Sequence, residues 1–173
     1  MQPTITMRDA QRYAGVRKTM RREELPEVVP SSLTTVFGFI QKHRLHVTGA
    51  PLIRYWVVDY STGEIDIDVG VPVAATTLPA DAVVRSAQIP AGTFATVIHR
   101  GPYDALVQTT AALMDWAQQN NINWAMVEQR KVTRWDGRIE YYLVGPPDEP
   151  NPKNWRTEIA ILISDGSPNH KLT

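Results

Sequence analysis

Two segments of the chain share one pattern: an acid followed by apolar residues whose β-branched members alternate. The first is Asp68-Val69-Gly70-Val71-Pro72-Val73 and the second is Glu158-Ile159-Ala160-Ile161-Leu162-Ile163. β-Branched residues at period two suit a pleated strand, and a run apolar on both faces belongs deep in a sheet. Tyr13-Ala14-Gly15-Val16 likewise parallels Phe94-Ala95-Thr96-Val97, and each is followed by a stretch at helical spacing. The order strand, helix, strand, strand therefore occurs twice, and a repeat constrains a fold more than any single element does. The predicted class is α+β: duplicated βαββ units with pseudo-two-fold symmetry, a curved antiparallel sheet, one main helix per half and a groove between halves. Ligand pockets tend to form at such junctions.

Taken in order, residues 1–6 read as a short tail and 10–20 as a strand, with 21–29 a charged loop ending at Pro30. Ser31 or Ser32 caps a helix whose apolar stripe is Leu33, Val36, Phe37 and Ile40. Strands at 52–60 and 65–73 flank a hairpin turn at Ser61-Thr62-Gly63-Glu64. Pro72 places the end of the second strand at an edge or bulge. After a linker at 74–82, residues 83–98 read as strand interrupted at Pro90-Ala91-Gly92. Gly101-Pro102 opens a helix over 103–120 with Leu106, Val107, Thr110, Leu113, Met114 and Ala117 as its buried stripe. A strand at 126–135, a hairpin turn at Asp136-Gly137, its partner at 139–144 and a final strand at 155–164 complete the second half. One domain spans 1–173, with halves at about 7–73 and 83–164 and a polar tail at 165–173.

Bulk properties exclude several function classes. The chain has no cysteine, which removes disulfides, thiolate nucleophiles and cysteine zinc sites. Eighteen basic residues balance eighteen acidic ones, so no basic stripe points to direct nucleic-acid binding. No apolar run approaches the length of a membrane span, and the first twelve residues lack the apolar stretch of a signal peptide. A cytoplasmic protein is expected. His43, His46, His99 and His170 show no ligand spacing, so neither a metal nor a cofactor is expected.

Glu158 enters its strand on the face it shares with Ala160 and Leu162. Read alone, it is a solvated strand-end carboxylate; in a cavity it would have to be hydrogen-bonded, protonated or waiting for a cation. Tyr55, Trp56, Phe94, Trp116, Tyr141, Tyr142 and Trp155 are each ordinary core candidates, but five Trp and six Tyr also provide for a pocket wall with polar tips. Tyr141 and Tyr142 face opposite sides of their strand, so only one reaches any given cavity. His99 and Arg100 read as a structural corner before Gly101-Pro102, whereas Tyr103, in the first turn of a helix flanking the groove, reads as a pocket member. Asp66 and Asp68 read as a solvated strand face, although Asp68 is the repeat mate of Glu158.

Several runs in combination resemble the GyrI-like, or effector-binding, domain family over roughly residues 7–164. They are Pro90-Ala91-Gly92-Thr93-Phe94-Ala95, His99-Arg100-Gly101-Pro102-Tyr103-Asp104 with a helix ending in Trp116-Ala117, Asp68-Val69-Gly70-Val71-Pro72-Val73, and Trp155-Arg156-Thr157-Glu158-Ile159. The family includes sensor domains of multidrug-responsive regulators of the MerR and AraC types and stand-alone toxin-protection proteins, with the SOUL haem-binding group a distant relation. The resemblance implies a stand-alone binder of lipophilic, cationic compounds in a central aromatic pocket. Glu158 would lie at its base and Trp155, Tyr103, Tyr55, Tyr142, Trp116 and Phe94 along its wall. The alternative it implies is a hydrolase of electrophilic, cyclopropane-containing toxins, with Glu158 and Tyr142 as catalytic residues, and the second alternative an inhibitor of a protein partner such as a topoisomerase. The chain shows no helix-turn-helix, which argues against a DNA-binding regulator and leaves a small molecule as the expected partner.

Overall fold

Nine antiparallel strands form one sheet, described for residues 2–165 in a computed structural model. The strands are β1 (Thr4–Arg8), β2 (Gln11–Arg21), β3 (Leu52–Asp59), β4 (Glu64–Pro72), β5 (Arg85–Ile89), β6 (Gly92–Arg100), β7 (Met126–Gln129), β8 (Val132–Val144) and β9 (Arg156–Leu162). Helices α1 (Leu25–Lys42) and α2 (Leu106–Gln119) lie one in each half. The order across the sheet is β1-β6-β9-β8-β3-β4-β2-β5, with β7 added on β8. The α+β class and the duplication hold: β2-α1-β3-β4 and β6-α2-β8-β9 meet where β3 pairs β8.

The halves also exchange their outer strands. β1 leads into β2 but pairs with β6, and β5 leads into β6 but pairs with β2. The expected tail at 1–6 is therefore largely strand β1. It alternates over only Thr4-Ile5-Thr6-Met7 and is a mostly exposed edge, tied on by the β6 backbone, by Ile5 against the main core and by a Thr4–Thr96 hydroxyl contact of 2.8 Å. Likewise, Pro90-Ala91 does not interrupt one strand; it joins two strands at separate places in the sheet.

Alternation gives the curled sheet two buried faces. On the helix face Ile53, Tyr55, Ile65, Ile67, Val69, Ile159 and Ile161 pack with Leu106, Leu113 and Ala117 of α2. On the inner face Tyr13, Leu52, Ile89, Phe94, Ile139, Tyr141 and Ala160 bury one another without any helix. Gly137 permits this closeness: a Cβ there would stand 2.8 Å from the Leu162 Cβ.

Several local expectations are corrected. α1 starts at Leu25 instead of being capped by Ser31 or Ser32. Pro26 fits its first turn, where an amide hydrogen has no helical acceptor to lose, and Pro30 is carried inside the helix. Its buried stripe is Ser32, Val36, Phe39 and Ile40, while Phe37 faces solvent; on α2, Val107 is exposed. The second hairpin turns at Arg130-Lys131, both at positive φ, the geometry of a two-residue hairpin turn. Asp136-Gly137 instead lies within β8, at a bulge between the Tyr55–Arg138 and Val57–Arg134 pairs. Beyond residue 165, the expected polar tail and His170 lie outside the described residues.

Candidate functional site

β8 runs through the middle of the sheet and splits its side chains between the two faces. Glu140 is set against Ile159 and Ile53, and so looks toward the helices; Tyr141 is set against Glu158 on the inner face. Tyr142 returns to the helix face, where it packs on the main core.

Glu140 is 5% exposed. The Tyr55 hydroxyl donates to its Oε2 at 3.2 Å and the Tyr142 hydroxyl donates to the same oxygen at 3.1 Å. Burial pushes the Glu140 carboxyl above its ordinary range; the positive charge of Arg138, the two phenol donors and Arg22 pull the other way. Both phenols are also pushed up, first by burial and then by the Glu140 charge, so they stay protonated donors. The Tyr103 ring meets Tyr142 edge-on at 5.2 Å and lies tilted on Trp155 at 4.6 Å. Trp155 is held by an Nε1 hydrogen bond of 2.7 Å to the Glu149 carbonyl. Tyr103 and Trp155 are half-buried, so the aromatic series descends from a solvent-touched rim to a buried acid. At its far end the Arg138 guanidinium lies 4.7 Å from the Tyr55 ring centre.

The seven expected ligand residues divide accordingly. Tyr55, Tyr103, Tyr142 and Trp155 come together around Glu140. Trp116 packs half-buried on the same apolar core, near the other end of α2 from Tyr103. Phe94 and Glu158 lie on the inner face. The expected catalytic pair of Glu158 and Tyr142 is not assembled, because the two side chains leave the sheet on opposite faces. Sequence reasoning passed over Glu140. Its signal was the alternation Arg138-Glu140-Tyr142, polar groups at every second position beside Ile139 and Tyr141.

On the inner face Glu158 already has a cation. Arg8 of β1 grips it with two hydrogen bonds, of 2.7 and 3.0 Å, at the wall of a cleft of about 380 Å³ that Phe94, Ile89 and Tyr141 also line. The Tyr141 hydroxyl donates to Gln11 at 2.9 Å, and burial pushes its phenol up to about 12 against the pull of Arg8. Asp68 is not solvated as expected but fully buried, taking hydrogen bonds from Tyr13 at 2.5 Å, Trp56 Nε1 at 2.9 Å and Arg85 at 2.6 Å. Asp66 is ion-paired with Arg17. His99 forms a corner: with Nε2 donating to the Pro102 carbonyl at 3.1 Å, Nδ1 accepts from Thr109 at 2.7 Å. Among the described residues no cluster of His, Asp and Glu could hold a metal ion, and no helix is long and apolar enough to cross a membrane.

The sequence matches the model of the GyrI-like small-molecule-binding domain over residues 1–164. The chain belongs to that family. No curated protein matches it closely. Among solved structures, the GyrI-like domain resembles the C-terminal domain of EcmrR, with 21% identity and a TM-score of 0.78 over 95% of this chain and 98% of that one. It spans 57% of the EcmrR chain seen in a complex with DNA, with 20% identity and a TM-score of 0.77 over 95% of this chain. SAV2435, solved bound to tetraphenylphosphonium, is 12% identical with a TM-score of 0.59 over 98% of both chains. A hydrolase from Listeria innocua is 12% identical with a TM-score of 0.61 over 94% of this chain and 92% of that one. At these identities the likeness is one of fold.

Proposed function

We propose that the GyrI-like domain binds lipophilic compounds carrying a cationic centre, and that the site is the aromatic series ending at Glu140. The observation that carries this reading is the buried carboxylate with two tyrosine hydroxyls on one of its oxygens. A desolvated carboxylate attracts a cation far more strongly than a hydrated one does, and flat aromatic faces add to that attraction. The series is closed by its own contacts, so a ligand enters by parting the half-buried pair Tyr103 and Trp155. That a fold relative binds tetraphenylphosphonium agrees with this reading. The test is a titration of tryptophan fluorescence with tetraphenylphosphonium, repeated with Glu140→Gln and Glu158→Gln. Glu140→Gln should cost about 1–3 kcal/mol of binding, as loss of a buried charged contact does. An equal loss in both variants, or in Glu158→Gln alone, would move the site to the inner face.

One observation favours a second reading. A hydrolase needs an acid and a tyrosine within reach of one point, and Glu140 with Tyr55 and Tyr142 meets that need. Glu140 would take a proton from water while a phenol donates to the leaving oxygen. Turnover of an electrophilic substrate that Tyr142→Phe abolishes, with its binding retained, would support this reading over simple binding.

A further inference from the structure

Arg138 stands two residues before Glu140 on the same face of β8 and is buried as deeply, 4% exposed against 5%. Its guanidinium lies 4.7 Å from the Tyr55 ring centre and 5.2 Å from that of Trp135. A cation over two aromatic faces is the environment a bound lipophilic cation would seek; here the chain supplies one itself. Yet Arg138 and Glu140 do not close into an ion pair, for among the described residues no carboxylate comes within 4.0 Å of Arg138. Arg138 Nε and Trp135 Nε1 are buried, and neither has a hydrogen-bond partner among the described residues. Two unpaired buried donors on neighbouring side chains, one of them charged, cost far more than an apolar pair of the same shape.

Charge balance leads to the same place. With one carboxylate, one guanidinium and neutral phenols, the buried groups themselves have no net charge, and half-buried Arg22 adds positive potential from outside. A simple monocation would leave an excess positive charge in a poorly solvated site, which is costly; a ligand with both signs would not.

We propose, resting on the reading that Glu140 is the base of the ligand site, that Arg138 and Trp135 form its acceptor-binding half. The preferred ligands are then lipophilic zwitterions. Their cationic centre meets Glu140, and their anionic oxygen, roughly 7 Å away by the strand repeat, takes hydrogen bonds from Arg138 Nε and Trp135 Nε1. Arg138 is thus the residue that sets specificity.

Calorimetric titration of the whole chain with three matched probes tests this: tetraphenylphosphonium, the zwitterion triphenylphosphonio-propanesulfonate and neutral triphenylphosphine oxide. The wild-type protein should bind the zwitterion at least about tenfold more tightly than the simple cation, since a charged hydrogen-bond pair is gained. Arg138→Met and Trp135→Phe should each shrink that ratio, and Arg138→Met should tighten the simple cation. A wild-type ratio of one or less overturns the proposal, and so does a ratio that neither variant changes. Should Arg138→Met fail to fold, the wild-type ratio and Trp135→Phe still decide. If the simple cation binds, depends on Glu140 and is preferred, the inference fails while the cation site stands. If none of the three probes binds, both fail.

Discussion

Glu140 and Glu158 stand on neighbouring strands yet leave the sheet on opposite faces, because the register sets Tyr141 against Glu158 and Ile159 against Glu140. The two acids are therefore in different electrostatic company. Glu158 is held by Arg8 through two hydrogen bonds, whereas Glu140 faces only neutral phenols at hydrogen-bond distance. An acid already neutralised must lose its partner before it can take a cationic ligand. Glu140→Gln should therefore weaken lipophilic cations about 10–100-fold, while Glu158→Gln changes their affinity by less than about threefold. Parallel fluorescence titrations of the two variants measure the contrast.

The same burial predicts a pH dependence. The Glu140 pKa is raised from its ordinary value of 4.5, chiefly by desolvation. Compared with the unfolded chain the fold favours the protonated form, so the contribution of Glu140 to stability is fully present below the unfolded-state pKa and is lost as pH rises through the folded one. Cation binding runs the opposite way, needing the ionised form. Affinity for tetraphenylphosphonium should thus fall on acidification with a midpoint above 4.5. Removing the phenol donors with Tyr55→Phe and Tyr142→Phe should move that midpoint further up, because hydrogen bonds to the charged form favour it. A midpoint unchanged by both substitutions would contradict the arrangement.

The repeat of β4 and β9 was legible because both strands are interior and read apolar at period two. The aromatic neighbours Tyr55, Tyr103, Tyr142 and Trp155 were also picked out, since polar-tipped aromatics near a helix start and a strand entrance fit a pocket wall. Glu140 was not, for a specific physical reason. Asp136-Gly137 looks like a hairpin turn, and breaking β8 there loses the phase that puts Trp135, Arg138, Glu140 and Tyr142 in register with β3 and β9. The real turn uses Arg130 and Lys131 at positive φ, where side chains rarely go, so composition gave no sign of it. β1 was missed because its partner β6 lies far along the chain and the strand is only five residues long, with Ile5 its one side chain on the main core. Pairings of that kind leave almost no local trace.

The Arg8–Glu158 pair ties this outer strand across to β9, two strands away. Both side chains keep some solvent contact, at 27% and 19% exposure, so screening limits the pair's worth. Arg8→Met should cost only about 1 kcal/mol in global stability. Its effect should be local: faster amide exchange in Thr4–Arg8 and an opened inner cleft, with β3 and β8 protected as before. Hydrogen-exchange mass spectrometry of the variant measures this, and uniform acceleration through the sheet would show that the pair supports the whole fold.

Gly145 separates the site from the stability of the fold. A Cβ at this position would stand 2.5 Å from the Tyr103 hydroxyl and no closer than 3.8 Å to any other atom outside its chain neighbours. Gly145→Ala therefore pushes on the tip of a half-buried ring, which can swing, and not on backbone. Melting temperature should hardly move, as for surface changes within about 0.5 kcal/mol. Tyr103 must tilt away, however, breaking its contacts of 5.2 Å with Tyr142 and 4.6 Å with Trp155. If that rim gates the path to Glu140, the association rate of a lipophilic cation should change severalfold while Glu140-dependent selectivity persists. Stopped-flow tryptophan fluorescence, compared with a Trp155→Phe control, reads the rate, and the same titration repeated with Glu140→Gln reads the selectivity. An unchanged rate with an unchanged melting temperature would mean that ligands reach Glu140 by another route between the helices.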